Sequence, residues 1–277
     1  MSQNIKIFQI YYKPELKKYL DSEFIPLDNT ENIRPDLREW YVWKNEYETN
    51  LKNNPPDFWG FVSWKFKEKT NLDSNQVFNF LMDNPNYDVY LFNPCILNEA
   101  CFINSWEQGN LHHPNISELG IEFLSKVGYN VDIKSLVIDQ TKSIFANYII
   151  GSKNFWFKFM PFIDKIFIEA EKDSNFKHKV FGKGLSNYAH DSSLPNFTFL
   201  LERLIPTFLV LENIKTLAFK YNKDNIHKKY TQFYPYIEAL STLKLLLNKY
   251  NDQNLYNLWN FYRIEFLKNN PGILNLE

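Results

Sequence analysis

The sequence predicts an α/β fold, and three of its features lead to that prediction. Residues 5–11 form an apolar and aromatic run with the length and composition of a buried strand. Two further strands, predicted over residues 58–64 and 87–92, enclose a helix that begins near Ser74, which is the strand–helix–strand unit of a parallel sheet. Polar residues follow these strands, at the carboxyl ends where parallel sheets bind ligands.

The remaining elements follow from apolar spacing and from turn residues. An extended piece over residues 24–27 ends at Asp28, and two asparagines with two prolines at positions 53–56 predict a turn before the next strand. Residues 143–150 are typical of another strand. Apolar positions at helical spacing predict helices over residues 15–20, 37–47, 74–84, 116–127 and 154–170.

The sequence changes character after residue 171. Residues 172–196 are polar, contain Gly182 and Gly184, and predict a long irregular connection. Beyond them the sequence predicts helices over residues 197–219, with a kink at Pro206, and over residues 236–250 and 255–267. We therefore expect an α/β domain over residues 1–196 and a helical segment over residues 197–277 that packs on it.

Composition restricts the class of protein. The chain has 277 residues, of which 44% are hydrophobic and 23% charged, and its formal net charge is −1, so an overall nucleic-acid footprint is not predicted. Its two cysteines, Cys95 and Cys101, favour reduced thiols. The first residues lack the apolar region of a signal peptide, and charges interrupt every apolar stretch. A cytoplasmic protein is predicted, with a peripheral membrane contact and a homodimer left open.

Several sequence motifs of known chemistry are missing. The chain has no Gly-x-Gly-x-x-Gly, no phosphate-binding loop of the Walker type, no Gly-x-Ser-x-Gly and no His-Glu-x-x-His. No strand is followed by Asp-x-Asp, the spacing that holds a divalent metal ion against a nucleotide diphosphate. Acidic pairs with that spacing occur on predicted helices or polar loops, where an exposed charged surface is the better interpretation. A Mn²⁺ or Mg²⁺ requirement stays open.

The first half of the sheet provides the first group of candidate residues. Asp28 and Asn29 can accept hydrogen bonds from a ribose or a base, although an Asx turn is the favoured alternative. Arg38 and Lys44 lie on the next predicted helix and can neutralise a diphosphate, with surface salt bridges as the alternative. Further along, Ser63 and Lys65 are predicted to share one face of a strand, and Lys65 is a second candidate for the diphosphate.

The next candidates follow in the middle of the chain. Asp88 alternates with two aromatic residues on a predicted strand, and Asn93 stands where an Asp-x-Asp often occurs. Glu107 can act as a general base on an acceptor hydroxyl. His113 precedes a proline and a helix start, and it can bind a phosphate or a sugar hydroxyl.

Three more polar residues complete the candidate set. Asn147 lies near the end of a predicted strand. Glu202 and Arg203 lie among leucines and isoleucine on the first C-terminal helix, where a charged pair must be paired or must face a pocket. A structural ion pair and an active-site pair are equally good interpretations.

Taken together, these segments resemble a bacterial family from capsule and lipopolysaccharide gene clusters, described as glycosyltransferase-like and in part as hemolytic-protein-like. The matching motifs are Trp59-Gly-Phe-Val-Ser-Trp-Lys65, Tyr87-Asp-Val-Tyr-Leu-Phe-Asn-Pro94 and Trp106-Glu-Gln-Gly109, with residues 28–29, 37–39, 43–44, 69–70, 84–85, 113–114, 147–148, 155–156 and 202–203. They run in order through most of the chain. The resemblance implies a GT-A-like nucleotide-binding sheet and a glycosyltransferase that acts on a surface polysaccharide.

The resemblance also implies roles for the candidate residues. Glu107, or otherwise Asp88, would be the base, and Lys65, Arg38 or Arg203 would stabilise the departing diphosphate of a nucleotide-sugar donor, most simply a UDP-sugar. His113, Asn147 and the Glu202–Arg203 pair would contact a glycan acceptor or a phosphate, and residues 182–195 would form a lid. A non-catalytic carbohydrate-binding protein is the alternative, because a fold does not establish an activity.

Overall fold

A six-stranded sheet forms the centre of the protein, in a computed structural model that describes residues 3–184 and 194–276. The strand order is β2-β1-β3-β5-β4-β6. The strands are β1 (Ile5–Tyr11), β2 (Ile25–Asp28), β3 (Phe58–Ser63), β4 (Val89–Leu91), β5 (Ile149–Ser152) and β6 (Thr216–Ala218). Neighbouring strands are parallel except at β5, which runs antiparallel to both β3 and β4. The predicted α/β fold class is confirmed.

Helices cover both faces of the sheet. They are α1 (Glu39–Glu46), α2 (Phe66–Thr70), α3 (Ser74–Asp83), α4 (Ile96–Cys101), α5 (Ser105–His112), α6 (Ile116–Lys126), α7 (Lys153–Lys172), α8 (Ser174–Phe181), α9 (Asn196–Leu211), α10 (Tyr234–Tyr250) and α11 (Gln253–Asn269). Short 3₁₀ turns occur at Pro14–Tyr19, Lys228–Phe233 and Ile273–Leu276, and a π-turn at Tyr47–Leu51 extends α1. No helix among the described residues is both long and apolar enough to cross a bilayer.

Alternation along the strands divides the core into two layers. On β3, Trp59 and Phe61 pack with the apolar sides of α1, α5, α6, α7 and α9 on one face of the sheet. Phe58 and Val62 of the same strand pack with α3, α4, α10 and α11 on the other face. Because successive side chains of a strand point to opposite faces, a single apolar strand can supply both layers.

The C-terminal part of the chain contributes to the sheet. β6 pairs in parallel with β4, with Tyr90 opposite Leu217, so the sheet extends beyond the predicted domain boundary at residue 196. The helix predicted over residues 197–219 ends at Leu211 because Asn213 adopts a left-handed conformation with φ 47°. The three residues of β6 therefore form a strand where a helix was predicted.

Two other predicted strands differ from the structure. The strand predicted over residues 143–150 begins only at Ile149, since the left-handed Asn147, with φ 58°, interrupts the extended backbone before it. β3 ends at Ser63, and Lys65 is instead the residue that precedes α2. The prediction that Ser63 and Lys65 share one face of a strand is therefore wrong, because the strand ends between them.

Candidate functional site

The carboxyl ends of β1, β2 and β3 meet at one edge of the sheet. Since β5 runs the opposite way, the segment that leads into it, residues 146–148, lies at the same edge. A cavity of about 490 Å³ opens there, and we call it the edge cleft. Its lining comes from the end of β1, the loop after β2, the start of α1 and the end of β3, and includes Tyr12, Asn29, Thr30, Arg38, Glu39, Trp43, Ser63, Trp64, Asn147 and Tyr148.

Three residues that line the edge cleft have unusual backbone conformations. Arg38 has φ 49° and ψ −132°, Asn147 has φ 58° and Asn32 has φ 41°. Every other non-glycine residue with positive φ in residues 3–184 and 194–276 is an asparagine, which tolerates this region better than arginine does. Such conformations cost about 1–3 kcal/mol each and persist where the surrounding structure enforces them, often at functional sites. The fold therefore holds Arg38 at the cleft against a local preference.

Two buried polar atoms of the edge cleft have no hydrogen-bond partner among the described residues. They are Oδ1 of Asn147 and Nε1 of Trp43, which belong to residues with 6% and 1% exposure. An unpaired buried polar atom costs about 1–3 kcal/mol, and an absent water or ligand is a common explanation. One atom accepts and the other donates, and both belong to residues that line the cleft.

Two hydroxyl groups also meet at the cleft. Ser63 Oγ and Tyr148 Oη lie 2.6 Å apart and share a hydrogen bond. Burial raises the pKa of Tyr148, and the bond from Ser63 opposes this rise only in part. Tyr148 therefore stays protonated at neutral pH and serves as a neutral hydrogen-bonding group. The charges at the opening come from Lys13, Arg38 and Glu39, which are all exposed.

A second, smaller cavity of about 230 Å³ lies beside the edge cleft, and we call it the polar cavity. The loop before β5 lines both cavities, with residues 144–145 in the polar cavity and residues 146–148 in the edge cleft. The other lining residues come from α4, α5, α9 and their flanks, and they are Cys95, Asn98, Ser105, Gln108, His113, Phe199, Glu202 and Arg203. Most of these carry groups that can hydrogen-bond to a hydroxylated ligand.

Arg203 is the central charge of the polar cavity. Its side chain is 4% exposed, and its Nη1 donates to Phe199 O at 2.9 Å and to Glu202 Oε2 at 2.8 Å. Its Nη2 donates to Gln108 Oε1 at 2.9 Å. Gly109 is required beside it, because a Cβ at that position would overlap the Arg203 guanidinium. The guanidinium is thus fixed, and Glu202 is the partner that reaches the cavity opening.

The walls of the polar cavity combine an aromatic stack with a buried hydroxyl. The His113 ring stacks on Phe199 with centroids 3.5 Å apart and planes inclined by 17°. Ser105 Oγ is buried and has no partner among the described residues. Burial and the charge of Arg203 lower the pKa of the neighbouring His112. The cavity accordingly offers a hydroxyl, an amide and a carboxylate to a ligand.

The structure divides the predicted site residues into those that it brings together and those that it does not. Seven of them line the two cavities: Asn29, Arg38, Ser63 and Asn147 line the edge cleft, and His113, Glu202 and Arg203 line the polar cavity. These positions come from regions far apart in the sequence, and the sheet edge is what they share.

Three predicted residues of the first half are engaged elsewhere. Lys44 forms ion pairs with Asp164 of α7 and with Glu48. Lys65 lies outside both cavity linings, with its Nζ 5.1 Å from the centre of the Trp64 ring.

Asp28 forms the Asx turn that was the favoured alternative. Its carboxylate accepts hydrogen bonds from Thr30 N at 2.8 Å and Tyr11 Oη at 2.6 Å. These bonds lower the pKa of Asp28, with the bond from Tyr11 contributing most.

The remaining predicted residues also lie apart from the two cavities. Glu107 accepts from Ile103 N at 2.7 Å, and both of its oxygens accept from Nη1 of Arg263 on α11, at 2.7 and 2.9 Å. Asp88 precedes β4, at the amino end of that strand, so it lies at the opposite edge of the sheet from Ser63.

Asn93 follows β4 and forms a turn. Its Oδ1 accepts from Cys95 N at 3.1 Å and Phe145 N at 3.4 Å, and the residue is buried.

The described residues contain no cluster of three or more His, Cys, Asp or Glu side chains that could hold a metal ion. Of the lid predicted over residues 182–195, residues 185–193, which include His190 and Asp191, lie outside the described residues.

Sequence reasoning missed several residues of these cavities as site residues. Trp43 and Tyr148 were seen only as neighbours of Lys44 and Asn147. Their place beside the ends of strands is the signal that could have identified them. Ser105 and Gln108 lie on α5 beside Glu107. Gln108 contacts Arg203 of α9, whereas Glu107 contacts Arg263 of α11. That difference depends on which helices pack on α5, and spacing along α5 alone does not reveal it.

Comparison with known proteins gives one structural likeness. No protein-family model and no curated protein sequence matches the chain. Among solved structures, the chain is similar to the apo structure of WbbM, a bifunctional glycosyltransferase, with a TM-score of 0.48 and 14% sequence identity. The likeness covers 78% of this chain and 44% of the WbbM chain, so this chain spans less than half the length of that protein.

Proposed function

We propose that the chain is a glycosyltransferase that takes a sugar from a nucleotide-sugar donor bound in the edge cleft. One observation carries the proposal: a cavity of about 490 Å³ lies at the carboxyl ends of parallel strands and contains an unpartnered buried acceptor, Asn147 Oδ1. Open α/β sheets bind ligands at this edge, and cavities of roughly 300–1,000 Å³ suit small molecules.

The chemistry of the cleft matches the parts of a sugar nucleotide. Tyr12 and Trp64 offer flat apolar surfaces for a base or a sugar ring. Asn147 Oδ1 can accept a hydrogen bond from a ribose hydroxyl or a base N–H group. Arg38 supplies a guanidinium, whose planar donors match phosphate oxygens and which stabilises the charge that develops on the leaving diphosphate.

The acceptor binds in the polar cavity on this proposal. Its hydroxyl, amide and carboxylate groups suit a glycan, and the loop before β5 lines both cavities, so that donor and acceptor lie next to each other. The sequence resemblance to capsule and lipopolysaccharide proteins supports a UDP-type donor and a growing bacterial surface polysaccharide as the acceptor. Such an enzyme works in the cytoplasm, where it can contact the membrane surface.

A thermal-shift screen tests the nucleotide part of the proposal. UDP, GDP, CMP and TDP are each added alone and with Mn²⁺ or Mg²⁺, and the unfolding midpoint is recorded. A ligand that binds only the folded state stabilises it, by about 2.7 kcal/mol at a hundredfold excess over Kd. We expect one nucleotide, UDP first, to raise the midpoint, and the metal dependence of that shift to show whether an ion takes part.

A pair of variants assigns the shift to the cleft. Arg38→Gln should weaken the nucleotide shift, because it removes the guanidinium that lines the cleft. Arg34→Gln is the matched control, since Arg34 is exposed and pairs with Asp36 outside the cleft. If none of the four nucleotides shifts the midpoint, the transferase proposal is wrong, and a shift by oligosaccharides alone would favour a carbohydrate-binding protein.

A further inference from the structure

Glu202 lies in the wall of the polar cavity, and the loop of residues 144–148 joins that cavity to the edge cleft. The charge of Glu39, which lines the edge cleft, acts on Glu202. The side chain of Glu202 is 34% exposed, whereas that of its partner Arg203 is 4% exposed. Glu202 is therefore the more accessible member of the pair, and it lines the cavity assigned to the acceptor.

The fold holds this carboxylate by one of its oxygens. Arg203 Nη1 donates to Glu202 Oε2 and to Phe199 O, and its Nη2 donates to Gln108 Oε1. Gly109 leaves the space that the guanidinium needs. A carboxylate that is anchored through one oxygen by a buried, hydrogen-bonded partner is well placed to take a proton with the other.

Glu107 shows the opposite arrangement on the neighbouring helix α5. Both of its oxygens accept from Arg263, and one also accepts from Ile103 N. Neither cavity includes it in its lining. A carboxylate with both oxygens engaged in the packing of α5 on α11 is poorly placed to reach an acceptor hydroxyl.

We propose that Glu202 is the general base of the sugar transfer and that Arg203 is its positioning residue. This inference rests on the proposed function and names the group that activates the acceptor. The acceptor hydroxyl oxygen attacks the anomeric carbon and forms the new glycosidic bond, while its proton passes to Glu202. The bond from the anomeric carbon to the donor phosphate breaks, and its electron pair leaves with the nucleoside diphosphate. A single displacement of this kind inverts the anomeric configuration.

The electrostatic surroundings of Glu202 suit this role. Burial raises the pKa of Glu202 most, the charge of Glu39 adds to the rise, and the charges of Arg203 and Lys69 oppose it. A raised pKa makes the carboxylate a stronger base, and the deprotonated form is the active one, so the rate should fall as pH falls through that pKa. The titratable or charged groups around it are Arg203 of α9, Glu39 of α1, Lys69 of α2, His113 after α5 and Cys95 before α4.

The test measures nucleotide release from sugar nucleotides, with water as the acceptor. UDP-glucose, UDP-galactose and UDP-N-acetylglucosamine are incubated with the protein between about pH 5 and about pH 9, and released UDP is quantified. Glu202→Gln should lower release by about 100-fold or more and abolish its decrease at acidic pH, while the UDP-induced thermal shift stays unchanged. Glu118→Gln, on the exposed side of α6, is the matched control and should leave release unaltered.

Two conservative variants separate chemistry from folding. Glu202→Asp keeps a carboxylate, so it should release UDP slowly and retain the acidic limb of the pH profile. Arg203→Lys keeps the charge but loses the guanidinium geometry, and it should lower the rate more than it lowers the UDP shift.

The outcomes distinguish the two proposals. Unchanged release by Glu202→Gln, or an acidic limb that persists in it, overturns Glu202 as the base while leaving the nucleotide site intact. UDP binding without release from any of the three donors also counts against Glu202. A wild-type protein that binds no nucleotide overturns the proposed function itself.

Discussion

The edge cleft and the contact between α4 and α10 differ in the partners of their buried polar groups. In the cleft, Asn147 Oδ1 and Trp43 Nε1 are buried without partners. Between α4 and α10, the buried Glu99 pairs with the fully buried Lys244 at 2.7 Å and accepts from Ser241 at 2.5 Å. Lys244 also donates to Phe102 O at 3.1 Å. The edge cleft thus contains unpaired buried polar atoms, whereas the α4–α10 contact contains a buried ion pair.

This difference separates two uses of polar residues in a folded chain. Removing one partner of a buried ion pair leaves the other charge uncompensated, so such a pair ties its two helices to one packing. Unpaired atoms and a strained backbone reduce stability, so they persist where a ligand repays the cost. The comparison therefore supports the edge cleft as the binding site and the α4–α10 contact as part of the framework.

The largest expected effect comes from Lys244→Met. The substitution leaves the carboxylate of Glu99 buried without its cation, which costs about 3–5 kcal/mol of unfolding free energy. Urea denaturation measures this loss, and Lys249→Met, an exposed position near the end of α10, is the matched control. A double variant with Glu99→Met should recover much of the loss. A Lys244→Met protein as stable as the control would show that this pair contributes nothing to the framework.

Asn147→Gly should weaken nucleotide binding and leave stability nearly unchanged, whereas Lys244→Met lowers stability. Glycine accepts φ 58° readily, so the variant removes the unpartnered amide and keeps the backbone. The unfolding free energy should change little, while the affinity for the nucleotide should fall by about tenfold, or about 1.4 kcal/mol, for one lost hydrogen bond. Asn251→Gly, at an exposed left-handed position, is the control. Isothermal calorimetry with UDP measures the affinity, and unchanged binding would remove Asn147 from the site.

The smallest effect is expected for Glu107→Gln. It weakens the partly buried pair with Arg263, so the unfolding free energy should fall by about 1 kcal/mol. UDP release should stay at the wild-type rate, and a double-mutant cycle with Arg263→Gln should reveal the coupling between the two residues. A large loss of release with unchanged stability would instead support Glu107 as the base, as the sequence predicts.

Sequence reasoning located the edge of the sheet better than it located the partners of charged residues. β1 occupies the predicted residues 5–11, and Ser63, Arg38 and Asn147 meet at the edge cleft because strand ends and turn residues are local features. Lys44 and Glu107 pair with Asp164 and Arg263, residues on helices that are far away in sequence. Nothing within a few residues of Lys44 or Glu107 encodes those contacts.

The C-terminal strand shows a second limit of local patterns. Thr216–Ala218 is three residues long and half-buried, so it carries neither a full alternation nor a long apolar run. What makes it a strand is the free edge of β4, which supplies the partner hydrogen bonds. A short segment of this kind adopts the structure that its neighbour in space offers, and its own composition has little influence.

The pairing of β4 with β6 also sets an order of events during synthesis. β4 can acquire its outer neighbour only after residue 218 has left the ribosome, although its own residues emerge far earlier. Until then the nascent chain presents an unpaired β4 edge with the apolar residues Val89 and Leu91, the kind of edge that pairs with other chains. We therefore expect translation to be the stage at which this protein most needs protection by chaperones, and a pause before β6 to favour aggregation.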